Sequence, residues 1–72
     1  MFTGYFVYDG HIFGPQESGK YYIKGRYIFG PKNRGRYYFD GQRILGMGTN
    51  GDFYRDGIYI FGPSEDVPWL AQ

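Results

Sequence analysis

The chain has 72 residues, so it holds one domain at most, and a core this small rarely supplies more than about 3–5 kcal/mol of net stability. With no cysteine and one histidine, His11, disulfides and thiolate or multi-histidine metal sites are excluded. Aromatics make up 24% of the residues and glycines number 13, while Leu and Ala are almost absent, a balance that favours strands over helices. The net charge of +1 hides an uneven distribution. The bases Lys20, Lys24, Arg26, Lys32, Arg34, Arg36 and Arg43 meet only Asp40 in their stretch, whereas Arg55 is the lone base among the acids elsewhere. There is no basic, apolar leader and no run near the roughly 20 apolar residues of a membrane span, so the expected compartment is the cytoplasm.

From the first residues onward the chain repeats itself. Gly14, Gly30, Gly46 and Gly62 recur at a fixed spacing, as do Gly19, Gly35 and Gly51. The first half of each unit reads GYFVYDG (4–10), GKYYIKG (19–25), GRYYFDG (35–41) and GDFYRDG (51–57). The second half reads HIFGP, RYIFGP, QRILGM and IYIFGP, the first copy being one residue short by this alignment. Each unit is expected to be a β-hairpin, over about 4–14, 19–30, 35–46 and 51–62. The turns are expected at Asp9-Gly10, Lys24-Gly25, Asp40-Gly41 and Asp56-Gly57, because such pairs suit a two-residue type I′ turn. Gly-Pro then ends the second strand. The glycine-rich stretch 46–51 has neither a following helix nor a Gly-Lys-Ser/Thr, so it is expected to be a loose loop.

Those turns set the expected register and faces. One face would carry Tyr21/Ile28, Tyr37/Ile44, Phe53/Ile60 and, in the first copy, Phe6/Phe13; it is apolar and is expected to be the core. The other would carry Tyr22/Tyr27 with Lys20/Phe29, Tyr38/Arg43 with Arg36/Leu45, Tyr54/Tyr59 with Asp52/Phe61, and Val7/Ile12 with Tyr5. A lone hairpin is marginal in water, and closure removes exposed strand edges. The expected fold is therefore all-β: four hairpin repeats, residues 1–63, closed into a shallow barrel of pseudo-four-fold symmetry. The tail 64–72 breaks the repeat, and its Val67, Trp69 and Leu70 would either cover one end of the barrel or dock a partner.

With the repeated Gly-X-aromatic-aromatic-X-Asp/Lys-Gly and Ile-Phe at this period, residues 4–63 resemble the four-fold β-flower domains, small proteins of bacteria and phages. The resemblance implies four hairpins in a shallow, square barrel. It implies no catalytic residues, and through its likeness to tubby-type barrels it suggests contact with lipid or a membrane surface only by analogy of fold.

No catalytic constellation is expected. Ser18 and Ser64 fall in loops, and nothing brings them to His11 as a triad requires. Asp9, Asp40 and Asp56 are explained by the turns, and with Lys24 in the fourth place they offer too few oxygens for Ca²⁺. No cofactor is expected and the chain is read as a non-enzyme. The candidate binding surface is Tyr22, Tyr27, Tyr38, Arg36, Arg43, Tyr54 and Tyr59, since Tyr and Arg dominate protein-binding hot spots. A protein partner, or a second copy in a homo-oligomer, is the leading expectation. The basic block Lys20, Lys24, Arg26, Lys32 and Arg34 beside tyrosines leaves single-stranded nucleic acid as an alternative, and aromatic-rich hairpins leave a glycan or cell-wall ligand as another.

Overall fold

A computed structural model describes residues 1–47 and 49–70, without the side chain of Asn50. Eight strands follow in order: β1 Phe2–Tyr8, β2 His11–Phe13, β3 Tyr21–Lys24, β4 Tyr27–Phe29, β5 Tyr37–Asp40, β6 Arg43–Gly46, β7 Thr49–Asp56 and β8 Tyr59–Phe61. Each pairs antiparallel with the next, and β8 returns to β1, so the sheet closes into a barrel. The only other element among the described residues is a 3-10 turn, Pro68–Leu70.

Only the first turn lies where the Gly-to-Gly alignment puts it. Tyr8 pairs with His11 across Asp9-Gly10, and both turn residues have positive φ, 53° and 77°. In the other hairpins Lys24 pairs with Tyr27, Asp40 with Arg43 and Asp56 with Tyr59. Their turns are therefore Gly25-Arg26, Gly41-Gln42 and Gly57-Ile58, with glycine first at φ 63–66°. A type II′ turn asks for positive φ at its first position alone. This shift spares Lys24, Asp40 and Asp56 the left-handed conformation that costs a residue with a Cβ about 1–2 kcal/mol. It moves the expected pairs of these hairpins by two residues, so that Ile28 faces Ile23 rather than Tyr21. A two-residue shift keeps every side chain on its side of the sheet.

The inward set is therefore as expected in three copies and different in the first. Tyr21, Ile28, Tyr37, Ile44, Phe53 and Ile60 are buried. In the first copy Tyr5, Val7 and Ile12 are buried, while Phe6 and Phe13 stand outside, stacked at 5.6 Å. Counting sixteen back from Tyr21, Ile23 and Ile28 lands on Tyr5, Val7 and Ile12. The first copy is thus not short; its two glycines, Gly4 and Gly10, each sit one place late. Near the turns the inward positions are Val7, Ile23, Phe39 and Arg55. There the amide N–H of each of these residues donates to a carbonyl in the turn of the neighbouring hairpin: Ile58, Gly10, Arg26 and Gln42 respectively, at 2.6–2.7 Å. These four bonds stitch one end of the barrel into a ring.

The other end is shaped by rings lying on glycines. A Cβ built on Gly14, Gly30 or Gly62 would come within 2.2–2.3 Å of the ring of Tyr5, Tyr21 or Phe53. Here glycine is needed for the space its missing side chain leaves, in addition to ending the strand. The loops 14–19 and 30–35 are near-copies, each closed by a bond from Gly19 or Gly35 N–H to the carbonyl of Ile12 or Ile28, both 2.8 Å. The third connection is not the expected loose loop. Leu45 pairs with Asn50 and Gly46 with Thr49, so β6 runs almost directly into β7; Gly48 lies outside the described residues.

The tail plugs the barrel at this end. Val67 and Trp69 are buried and Leu70 is partly so; residues 71 and 72 lie outside the described residues. The indole meets the Tyr5 ring edge-on at 5.8 Å, and the Asn33 amide donates to the Trp69 carbonyl at 3.0 Å. The structure thus takes the covering role for Val67, Trp69 and Leu70. Two stability measurements by urea unfolding follow. Gly30→Ala is expected to cost about 3 kcal/mol by overpacking against Tyr21, well above Gly25→Ala, which meets no neighbour and is penalised by conformation alone, about 1 kcal/mol. Trp69→Ala is expected to cost about 3–5 kcal/mol and to leave little folded protein.

Candidate binding surface

Because the inward face fills the barrel, the outward aromatics form a separate layer. Phe6 stacks on Phe13 across the first hairpin and Tyr22 on Phe29 at 5.8 Å across the second. Between hairpins His11 meets Tyr22 at 6.1 Å, and Tyr27 meets Tyr38 at 5.8 Å. Tyr54 packs on Phe61 at 5.7 Å, and Phe2 bridges Phe61 and Tyr59 edge-on. A belt of rings thus runs round most of the outer wall. Its gap is on β6, where Arg43 and Leu45 stand at the positions held by His11 and Phe13, Tyr27 and Phe29, and Tyr59 and Phe61.

All the candidate residues face outward. Tyr27, Tyr54 and Tyr59 are 41–48% exposed, and Tyr22 and Tyr38 are half-buried by neighbouring rings. Arg36 and Arg43 are exposed, as are Lys20, Lys24, Arg26, Lys32 and Arg34. They do not form one contiguous patch. Tyr22, Tyr27, Tyr38, Arg26 and Arg36 share the wall of β3–β5, and the Arg26 guanidinium sits 5.8 Å from the centre of the Tyr38 ring. Arg43 and Tyr54 pair across β6 and β7, and Tyr59 lies on the side where β8 meets β1. Among the described residues the one ion pair is Lys20–Glu17 at 3.7 Å, so most of the basic sector is left for other contacts. The aromatics Phe2, Phe6, Phe13, His11, Phe29 and Phe61 belong to the same belt. The strict sixteen-residue count was the signal that would have placed Phe6 and Phe13 there.

Burial governs two phenols beneath the belt. It raises the pKa of Tyr5 and of Tyr21 above the usual 10, and the backbone groups of Gln16 and Lys32 offset part of that rise. Asp66 and Glu65 push Tyr5 further up, and Glu17 does so for Tyr21. The Tyr21 hydroxyl is buried with no partner in hydrogen-bonding geometry. Both phenols ionise earlier in the unfolded chain than in the folded one. Stability is therefore fully present below pH ~10 and falls as the pH rises above it. Urea midpoints followed up to pH ~11.5 are expected to show that fall, and Tyr21→Phe to lessen it. At neutral pH Tyr21→Phe, which copies Phe53, is expected to be neutral or stabilising by up to ~1 kcal/mol.

Among the described residues no three His, Cys, Asp or Glu side chains gather as a metal site needs, and no helix is long and apolar enough to cross a membrane. Compared with family models, curated proteins and solved structures, the chain matches none of them.

Proposed function

We propose that this chain is a non-enzymatic binding or assembly module that engages a protein surface, either a second copy or another partner, through the aromatic and basic wall of β3–β5. The observation that carries this reading is the belt itself. The barrel is closed and its inside is filled by its own side chains and by Trp69, yet a second set of rings stands half-exposed outside. Large exposed aromatics beside arginines are what protein interfaces bury at their centres. The uneven charge adds direction, since the basic wall of one copy complements the acids Asp9, Asp56, Glu65 and Asp66 of another. Extended stacking of nucleic-acid bases is less well supported, because Arg26 already lies over Tyr38 and Tyr22 is stacked on Phe29.

The test is absolute mass by light scattering, at low and high salt, for the wild type and for a Tyr27→Ser, Arg26→Ser, Arg36→Ser variant. A wild-type mass above the monomer that falls with salt and is lost in the folded variant is the expected result for a second copy. A monomer at every salt moves the search to a different protein. Unfolding of the variant would refute the reading, because the wall would then be part of the fold.

A further inference from the structure

The gap in the belt is also where the sheet is least regular. Between β6 and β7 the pairing passes from Ile44 with Phe53 to Leu45 with Asn50, so Gly51 and Asp52 bulge out of the ladder. The equivalent glycines that follow the first two hairpins are roofed by aromatic rings of those hairpins. A Cβ on Gly19 or Gly35 would meet Phe13 or Phe29 at 3.2 Å. After the third hairpin Leu45 stands in place of that ring, and it covers Gly51 together with the side chain of Arg43, which comes closer. Its Cδ lies 3.2 Å from a Cβ built on Gly51, and its Nη1 donates to the Gly51 carbonyl at 2.8 Å. Arg43 is thereby drawn away from its cross-strand neighbour Asp40. Among the described residues neither Asp40 nor Asp52 has an ion-pair partner.

What opens there is a groove of about 470 Å³ lined by Asp40, Gln42, Arg43, Gly51, Asp52 and Tyr54. It holds two unpaired carboxylates as acceptors, an anchored guanidinium and an amide as donors, and the ring of Tyr54 as an apolar platform. We infer that this groove is a binding site for an uncharged saccharide, its hydroxyls held by Asp40, Asp52, Gln42 and Arg43 and one sugar face resting on Tyr54. Sugars present donor and acceptor hydroxyls on an apolar ring of C–H groups, and the groove offers the complement of each. The two carboxylates repel phosphates and other anions, and the fixed Arg43 opposes a cation. The site borrows Arg43 and Tyr54 from the outer wall but does not depend on a protein partner.

The experiment uses the 72-residue chain, ¹⁵N-labelled, with maltotriose, cellotriose and tri-N-acetylchitotriose as probes. Each is added to about 20 mM, enough to load a site with a Kd near 1 mM. At least one is expected to move the amides of Arg43, Gly51, Asp52 and Tyr54 saturably. Asp52→Asn and Tyr54→Ala should each weaken that binding by about tenfold or more, while the indole resonance of Trp69 stays in place to show an intact plug. Asp52 is exposed, so its variant keeps the inference testable even if Tyr54→Ala disturbs packing. Absence of shifts with all three sugars overturns the inference, as do shifts centred elsewhere. So does a larger response of the same amides to arginine or inorganic phosphate at equal concentration. None of these results bears on the mass measurements that test the protein-binding wall.

Discussion

A ring lying flat against a glycine is the contact from which the barrel is organised. Where Tyr5, Tyr21 and Phe53 cover Gly14, Gly30 and Gly62, the backbone comes closer to the ring than any Cβ would allow. That closeness lets three large rings share the end of a narrow barrel and still leaves room for one indole. It also requires a glycine at the same point of three hairpins, each followed by proline. The third copy departs from the pattern. A Cβ on Gly46 would strike the Arg36 carbonyl and not the Tyr37 ring, and Met47 stands where the others have proline. With the pattern lost, β6 turns tightly into β7, the pairing slips, and the wall opens beside Arg43. The irregular copy and the groove are one event seen from inside and outside.

Division of the aromatics between two surfaces follows from the size of the barrel. Three hairpins point three side chains inward and the first points four, Thr3 with Tyr5, Val7 and Ile12, and the plug completes the filling. Polar atoms that enter this interior are mostly provided for: Thr3 donates to the Ile60 carbonyl at 2.7 Å and accepts from the Tyr5 amide at 3.2 Å. Arg55 takes an inward position near the turns and lays its guanidinium 5.3 Å from the Phe39 ring centre, a contact that suits a cation at a half-exposed rim. The remaining aromatics have no inner space to enter and must lie on the outside, where they shield one another in part.

Most of this was legible in the chain, because a sixteen-residue period and a β-prone composition leave few alternatives to four hairpins. What misled was the choice of landmark. Aligning Gly4 with Gly19 and Gly10 with Gly25 makes the first copy seem short and sends Phe6 and Phe13 into the core. Aligning by the period puts Tyr5 with Tyr21 and Ile12 with Ile28, as the structure does. Glycine is a poor ruler here because it serves either position of a two-residue turn: second in type I′ beside Asp9, first in type II′ before Arg26. The groove was beyond reach of the sequence for a different reason. Its existence depends on a slip in pairing between β6 and β7, and on Arg43 choosing the Gly51 carbonyl over Asp40. Leu45 and Met47, where the other copies have Phe and Pro, mark the third copy as irregular, but the slip and the choice made by Arg43 are set by strand geometry.

A plug of one tryptophan also constrains how such a chain can change in length. Tandem repeats gain and lose whole units by duplication and deletion, and a closed sheet tolerates that only if its lumen can still be filled. One hairpin more would give ten strands and a wider barrel, too wide for a single indole and three or four rings to fill. One hairpin fewer would leave no room for the indole at all. The lumen that Trp69 fills is thus matched to four hairpins, and each copy's outer face lies outside that constraint.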